Sequence, residues 1–174
     1  MPLFEAESAD LAAIADLVNS AYRGDVSRQG WTTEADYVGG QRTDPQALAR
    51  DLAADPRARL LVLRDDADAP LLGCVMLRPA SDGAWYLGML TVRPDIQDRQ
   101  LGRAMLAGAE AYAKGQGASR IRISVVQVRD TLIAWYERRG YAATGATLPF
   151  PYGDPEIGEP TREDLHFIVM EKAI

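Results

Sequence analysis

Apolar residues recur at helical spacing in the first part of the chain. From Leu11 to Ala21 they fall every three or four positions, which predicts a first helix. Pro45 follows an aspartate, a typical helix start, and predicts a second helix that runs towards Ala54. The segment between the two is polar and rich in glycine, so we expect loops and short helical turns there.

The middle of the chain has the pattern of strands separated by turns. Three apolar runs, Arg59–Arg64, Leu71–Leu77 and Trp85–Val92, are short enough for buried strands. The segments Asp65–Pro70 and Ser81–Gly83 between them carry typical turn residues. These runs predict neighbouring strands of one sheet.

Helix and strand patterns then alternate to the end of the chain. From Leu101 apolar residues return at helical spacing, and Arg120–Val126 alternates like a half-buried strand. Asp130–Arg139 is a further predicted helix. The last predicted strands are Tyr141–Thr144 and Leu165–Glu171, on either side of a Pro/Gly-rich segment. This order predicts a mixed α/β sheet with a right-handed crossover, in one domain over residues 1–174.

Composition narrows the class of protein. The 174 residues are 47% hydrophobic, enough for one sizeable core, and the net charge of -6 argues against nucleic-acid binding. The N-terminal segment lacks the pattern of a signal peptide, and no run reaches the length of a membrane span. Cys74 and His166 are single residues of their types, so we expect no disulfide, no metal site and structural roles for both. A cytoplasmic protein that binds no membrane is the expectation.

A candidate anion site lies where the third apolar run meets the next helix, at Gln97–Ala104. A helix N-terminus offers unpaired amides and a partial positive charge, and Arg99 and Arg103 add cationic groups. Gly102 lets the backbone approach a ligand closely. These features alone fit a phosphate site and a surface helix start with solvated arginines equally well.

A second motif lies downstream: an amphipathic helix that contains Tyr136 is followed by Gly140 and Tyr141. Together with the strand end Leu90–Val92 and the segment Pro94–Ala104, it resembles the GNAT superfamily of N-acetyltransferases. In that family L-x-V is followed by P-x-x-Q-x-x-G-x-G/A and a helix, and later by N-x-x-A-x-x-x-Y-x-x-x-G-F. Two positions depart from the pattern: Gln100 replaces the first glycine, and Arg129 replaces the asparagine.

The resemblance implies a mixed, mostly antiparallel sheet of about six to seven strands, with a central splayed parallel pair and about four helices. It implies acetyl-CoA as co-substrate and direct transfer to a primary amine of a small molecule or peptide, with Tyr136 as general acid. The residues expected to contact the coenzyme are Leu90, Thr91, Val92, Asp98, Arg99, Gln100, Leu101, Gly102, Arg103, Ala104 and Arg129. The alternative is a non-catalytic acyl-CoA-binding or regulatory module of the same fold.

The same resemblance locates the acceptor site in the segments 22–44 and 145–164. The residues expected there are Tyr22, Trp31 and Glu34. Glu34 and Asp154 would favour a cationic amine, whereas Arg23 and Arg42 could bind a carboxylate, and Glu34 is a candidate general base. Dimers are common among similar proteins, so a homodimer is one expected state; the sequence leaves the acceptor amine open.

Overall fold

The computed structural model describes residues 3–66 and 68–174. The elements in chain order are β1 Leu3–Glu5, α1 Leu11–Tyr22, β2 Val38–Gly39, α2 Pro45–Ala54, β3 Arg59–Leu63, β4 Gly73–Pro79, β5 Ala84–Val92, α3 Leu101–Gly115, β6 Arg120–Val126, α4 Asp130–Glu137, β7 Ala142–Pro149, β8 Glu159–Pro160 and β9 His166–Ala173. Within these ranges no helix has the length and apolarity to cross a membrane.

The large sheet has seven strands in the order β1-β3-β4-β5-β6-β9-β7. Neighbouring strands are antiparallel except β5 and β6, which are parallel and connected through α3. This confirms the predicted mixed sheet with one parallel pair and about four helices.

The parallel pair separates towards its C-terminal ends. Pairing between β5 and β6 covers Ala84–Tyr86 and Arg120–Arg122, at the start of both strands. Beyond that point β5 stays paired with β4, and β6 stays paired with β9. The two strands therefore diverge and leave a cleft between their ends.

Helices cover both faces of the sheet. In β3, Leu60 and Val62 pack in a cluster with α1 and α2, while Leu61 and Leu63 pack in the cluster that contains α3 and α4. Because both faces are buried, the strand is apolar at successive positions instead of alternating. This explains the continuous apolar runs in the sequence.

The strand after α4 is longer than the sequence predicts. We expected it to end at Thr144, but β7 continues to Pro149. Gly145 has a φ of +85°, and the pairing with β9 shifts register between Ala143 and Thr147. The glycine therefore accommodates a bulge within the strand and does not end it.

A small two-stranded sheet joins the loop after α1 to the loop before β9. Val38 pairs with Pro160 and Gly39 with Glu159. Strands of two residues carry too little pattern to be predicted, and the same holds for the three-residue edge strand β1. The small sheet nevertheless matters, because it fixes together the two segments expected to form the acceptor site.

Candidate active site

One cavity of about 490 Å³ occupies the cleft between β5 and β6. Its walls come from both strands, from the start of α3, from α4 and from the two loops joined by the small sheet. The hydroxyls of Tyr86 and Ser124 hydrogen-bond across the cleft next to the last paired residues of the two strands. The splayed strands thus form an open, ligand-sized site.

A bulge in β5 shapes one wall of this cavity. The pairing with β4 shifts register between the partners Gly88 and Thr91, and Met89 between them has a φ of +54°. The Tyr22 hydroxyl donates to the carbonyl oxygen of Leu90 at 2.5 Å. This hydrogen bond ties the end of α1 to the strand segment that was expected to pair with the coenzyme.

The turn between β5 and α3 has the backbone geometry of an anion-binding loop. A short 3-10 helix, Pro94–Arg99, is followed by Gln100 in the left-handed conformation, with φ 60° and ψ 13°. A right-handed residue followed by a left-handed one turns successive amides towards a common point. The amides of Leu101 and Gly102 have no carbonyl within α3 to bond, because they begin the helix.

Gln100 therefore departs from the family pattern in its side chain more than in its backbone. Its left-handed conformation is one that glycine adopts without steric cost, which accounts for a glycine at this place. The Gln100 side chain is exposed and contributes to the lining of the cavity.

Two arginines add positive charge close to this turn. Arg103 and Arg139 both line the cavity, and the Arg139 guanidinium lies 3.6 Å from the centre of the Trp135 ring. Arg139 also donates to the Trp135 carbonyl at 2.6 Å. Burial, together with the charges of Arg138 and Arg103, lowers the pKa of Arg139. The sequence offered no signal for Arg139, since it follows α4 as one of two adjacent arginines.

Three arginines converge on a single carboxylate in the other part of the cavity. Glu34 accepts from Arg23, from Arg129 at 3.2 Å and from Arg42 at 3.5 Å. Burial favours the neutral acid, but the charges of Arg42, Arg129 and Arg23 outweigh it and hold the pKa of Glu34 below its ordinary value. An ionised carboxylate with three cationic partners is a weak general base.

Two tyrosines frame this cluster. The Arg42 guanidinium lies 4.6 Å from the centre of the Tyr22 ring. Tyr37 is 7% exposed, and its hydroxyl has no hydrogen-bond partner among the residues that the structure describes. An unpartnered buried hydroxyl in the wall of a cavity calls for an explanation, and a bound ligand is one.

The Gln97 side chain holds the loop after α1, which we expected to form part of the acceptor site and call the acceptor loop, against the turn between β5 and α3. Its amide nitrogen donates to Thr32 at 2.9 Å and to the Val92 carbonyl at 3.1 Å, and its oxygen accepts from the Trp31 amide at 3.0 Å. A β-carbon added to Gly30 would lie 2.5 Å from that oxygen, so the Gln97 amide can keep this hydrogen-bonded position only beside a glycine. A single side chain therefore joins the two halves of the cavity.

The comparisons with known proteins agree with this geometry. The acetyltransferase (GNAT) family model matches residues 12–141, most of the chain. The chain belongs to the GNAT acetyltransferase family. No curated protein matches it.

Solved structures of this family share the fold. The ribosomal-protein-alanine N-acetyltransferase from Brucella melitensis is similar with a TM-score of 0.70 and 17% identity, over 100% of both chains. A spermidine N-acetyltransferase chimera from Vibrio cholerae and hSSAT is similar with a TM-score of 0.66 and 16% identity, over 99% of this chain and 96% of that one. Identities this low show a common fold and leave the acceptor open.

Tyr136 lies in the wall of the cavity at the GNAT tyrosine position. Its ring packs edge-on against those of Trp135 and Tyr141, with distances between ring centres of 5.0 Å and 5.3 Å, and these contacts fix its orientation. Burial and the neighbouring Tyr22 raise its pKa. Its hydroxyl forms no hydrogen bond with the described residues, so the ring is positioned while the hydroxyl stays available.

Arg129, the other departure from the GNAT pattern, lies among the acceptor-loop residues. Its guanidinium donates to the Thr32 carbonyl at 2.6 Å and to Glu34. We expected a coenzyme contact for this side chain; the arrangement gives that contact no support, because both terminal nitrogens are engaged by segment 32–34.

Other predicted residues lie as follows. Trp31 is 42% exposed, and its ring lies 6.0 Å from that of Trp135. Cys74 is fully buried, and burial raises its pKa to about 12, so its thiol stays protonated. Asp154 is exposed and lies outside the cavity lining. In the described part of the chain, no group of three or more His, Cys, Asp or Glu residues could hold a metal ion.

Proposed function

We propose that this GNAT protein transfers the acetyl group of acetyl-CoA directly to a primary amine of a small molecule or peptide. The observation that carries the proposal is the continuity of one cavity from the phosphate-binding turn to the Glu34 cluster. Direct transfer requires both substrates in one site at the same time. The proposal takes residues 1–174 as one acetyltransferase domain, acting in the cytoplasm.

The residues at the turn fit a coenzyme with a pyrophosphate. The amides that follow Gln100 would hold the pyrophosphate, with Arg103 and Arg139 supplying positive charge. The backbone of Leu90–Val92 would pair with the pantetheine arm. Bound there, acetyl-CoA supplies an activated acyl thioester.

The chemistry is attack of a neutral amine nitrogen on the thioester carbonyl, forming a C–N bond while the C–S bond breaks. The Tyr136 hydroxyl would donate its proton to the departing sulfur, since a tyrosine with a pKa of about 10 or above is protonated at neutral pH. An ammonium group with a pKa of about 10.4 must first lose one proton to water. The second proton, which the nitrogen loses as the amide forms, would pass through water to Tyr136 and replace the proton given to the sulfur. Because Glu34 is bound by three arginines, we assign most of the acceleration to positioning and none to a dedicated base.

The test is incubation of the protein with acetyl-CoA and a panel of amino acids, amino acid amides, polyamines and short peptides. Release of free thiol, together with one added acetyl group in the product mass, would support the enzyme. Tight binding of acetyl-CoA without thiol release for any amine would instead support a non-catalytic acyl-CoA-binding module.

A further inference from the structure

We infer that the acceptor amine carries an anionic group, such as the carboxylate of an amino acid, which Arg42 binds with help from Tyr37. The inference rests on the proposed function, because it concerns the second substrate of that reaction. It goes further by choosing among acceptors that the fold leaves open: amino acids, polyamines and peptide N-termini.

The first argument is the charge of the acceptor part of the cavity. Arg23, Arg42 and Arg129 surround Glu34, so three positive charges meet one negative charge and leave a net charge of +2. The side chains of Arg23 and Arg129 are only 5% and 11% exposed. Glu34 is the one carboxylate in the cavity lining of the described residues, although the chain as a whole carries -6. Buried excess charge favours an anion as ligand.

The second argument is the hydrogen-bonding capacity left over in this cluster. Arg129 and Arg23 use both terminal nitrogens on Glu34 and on the carbonyls of Thr32 and Ile157. Arg42, by contrast, meets Glu34 only through Nη1 at 3.5 Å, and its Nη2 makes no hydrogen bond with the described residues. The buried Tyr37 hydroxyl is equally unpartnered. Arg42 therefore keeps a donor fork suited to a carboxylate.

The third argument is the position of Arg42 relative to the cleft. Its guanidinium stacks on Tyr22, and the Tyr22 hydroxyl donates to the Leu90 carbonyl in β5. One side chain therefore separates Arg42 from the strand along which the pantetheine arm is proposed to lie. A carboxylate on Arg42 holds an amine of the same small molecule near that strand. A polyamine offers the cluster only further positive charge, which is unfavourable.

The experiment compares each α-amino acid with its primary amide, and adds taurine and spermidine, in the thiol-release assay with product mass. We expect kcat/KM for the best amino acid to exceed that for its amide by at least about tenfold, as expected for a hydrogen-bonded charge. Arg42→Gln removes the charge but keeps hydrogen-bonding groups, and should abolish the preference without changing the Kd for coenzyme A. Tyr37→Phe should lower kcat/KM for the acid without lowering Tm, because the hydroxyl has no protein partner to lose.

Arg57→Gln is the matched control, since Arg57 is 69% exposed, lies in the turn between α2 and β3 and is outside the cavity lining. Amides or spermidine reacting faster than the acids would overturn the inference and leave the acetyltransferase proposal standing.

If no amine releases thiol, the acetyltransferase proposal fails, and calorimetric titration of the coenzyme-bound protein with the amino acids decides the inference. Binding that Arg42→Gln weakens at least about tenfold would support the anion site, and no binding would overturn it.

Discussion

Replacement of Glu34 by glutamine keeps the shape of the side chain and removes the charge that three buried arginines share. Glu34 is 5% exposed, so its partners would be left close together without a carboxylate. Removal of one member of a buried ion pair costs about 3–5 kcal/mol. The Arg42 side chain is 30% exposed and can turn towards water, so we expect the free energy of unfolding to fall by about 3 kcal/mol, the lower end of this range. At about 2–4 °C per kcal/mol, Tm falls by roughly 6–12 °C.

Thermal denaturation followed by circular dichroism at pH 7.5 measures this effect. The control is Glu156→Gln, because Glu156 is 61% exposed and pairs with the exposed Arg50. We expect that change to stay within about 0.5 kcal/mol. Equal, small losses in the two variants would refute the buried-cluster reasoning.

The pH dependence of stability gives the same variant a second readout. The pKa of Glu34 is lower in the folded protein than its ordinary value, so the carboxylate favours folding when it is ionised. Its contribution is complete above the ordinary pKa, about 4.3, and is lost as the pH falls from there through the folded-state pKa. Denaturant titrations between pH 7 and pH 3 should therefore show a shallower acid loss for Glu34→Gln than for the wild type. A loss of equal steepness would contradict the assignment.

Two further substitutions test the two halves of the cavity. Gly30→Ala brings a β-carbon within 2.5 Å of the Gln97 oxygen, so the Gln97 amide must move and give up its hydrogen bonds, which should lower the free energy of unfolding by about 1–3 kcal/mol. Gly115→Ala has no atom within 4 Å of its β-carbon and should be neutral or slightly stabilising. Equal effects of the two changes in urea titrations would contradict the role of Gln97. Arg139→Gln should raise the Kd for coenzyme A about tenfold and reduce its dependence on salt, as measured by calorimetry at two ionic strengths. An unchanged Kd would place the pyrophosphate elsewhere.

Features that depend on residues close together in the chain could be predicted from the sequence. The strand–turn–helix segment around Gly102 and the helix that carries Tyr136 each depend on local periodicity and on a few adjacent residues, and both lie where the pattern predicts. The apolar runs of β3 and β5 were recognisable because both faces of the central sheet are buried.

The acceptor cluster could be predicted only in part, because tertiary structure assembles it. Glu34, Arg23 and Arg42 lie within one polar segment and were singled out, but their convergence depends on how that segment folds over the cleft. Arg129 lies between β6 and α4, and its partner Glu34 is 95 residues away in sequence. Opposite charges within a segment therefore indicated a site, but not the excess of arginine over carboxylate.

The contacts that join the two halves of the cavity could not be predicted from the sequence either. Gln97 stood out as part of the phosphate motif, yet in the structure its side chain binds Trp31 and Thr32 of the acceptor loop. A close approach of this kind depends on Gly30, a residue without pattern of its own.

The central claim is that acetyl transfer takes place in this cleft with the help of the Tyr136 hydroxyl. The most direct measurement is thiol release from acetyl-CoA by the wild type and Tyr136→Phe with one accepted amine, alongside the Kd for coenzyme A. We predict that kcat falls about 100-fold or more in the variant while the Kd changes less than about threefold, since a general acid contributes about 10²–10⁴-fold. Equal kcat values for the two proteins, at equal coenzyme affinity, would contradict the role of Tyr136.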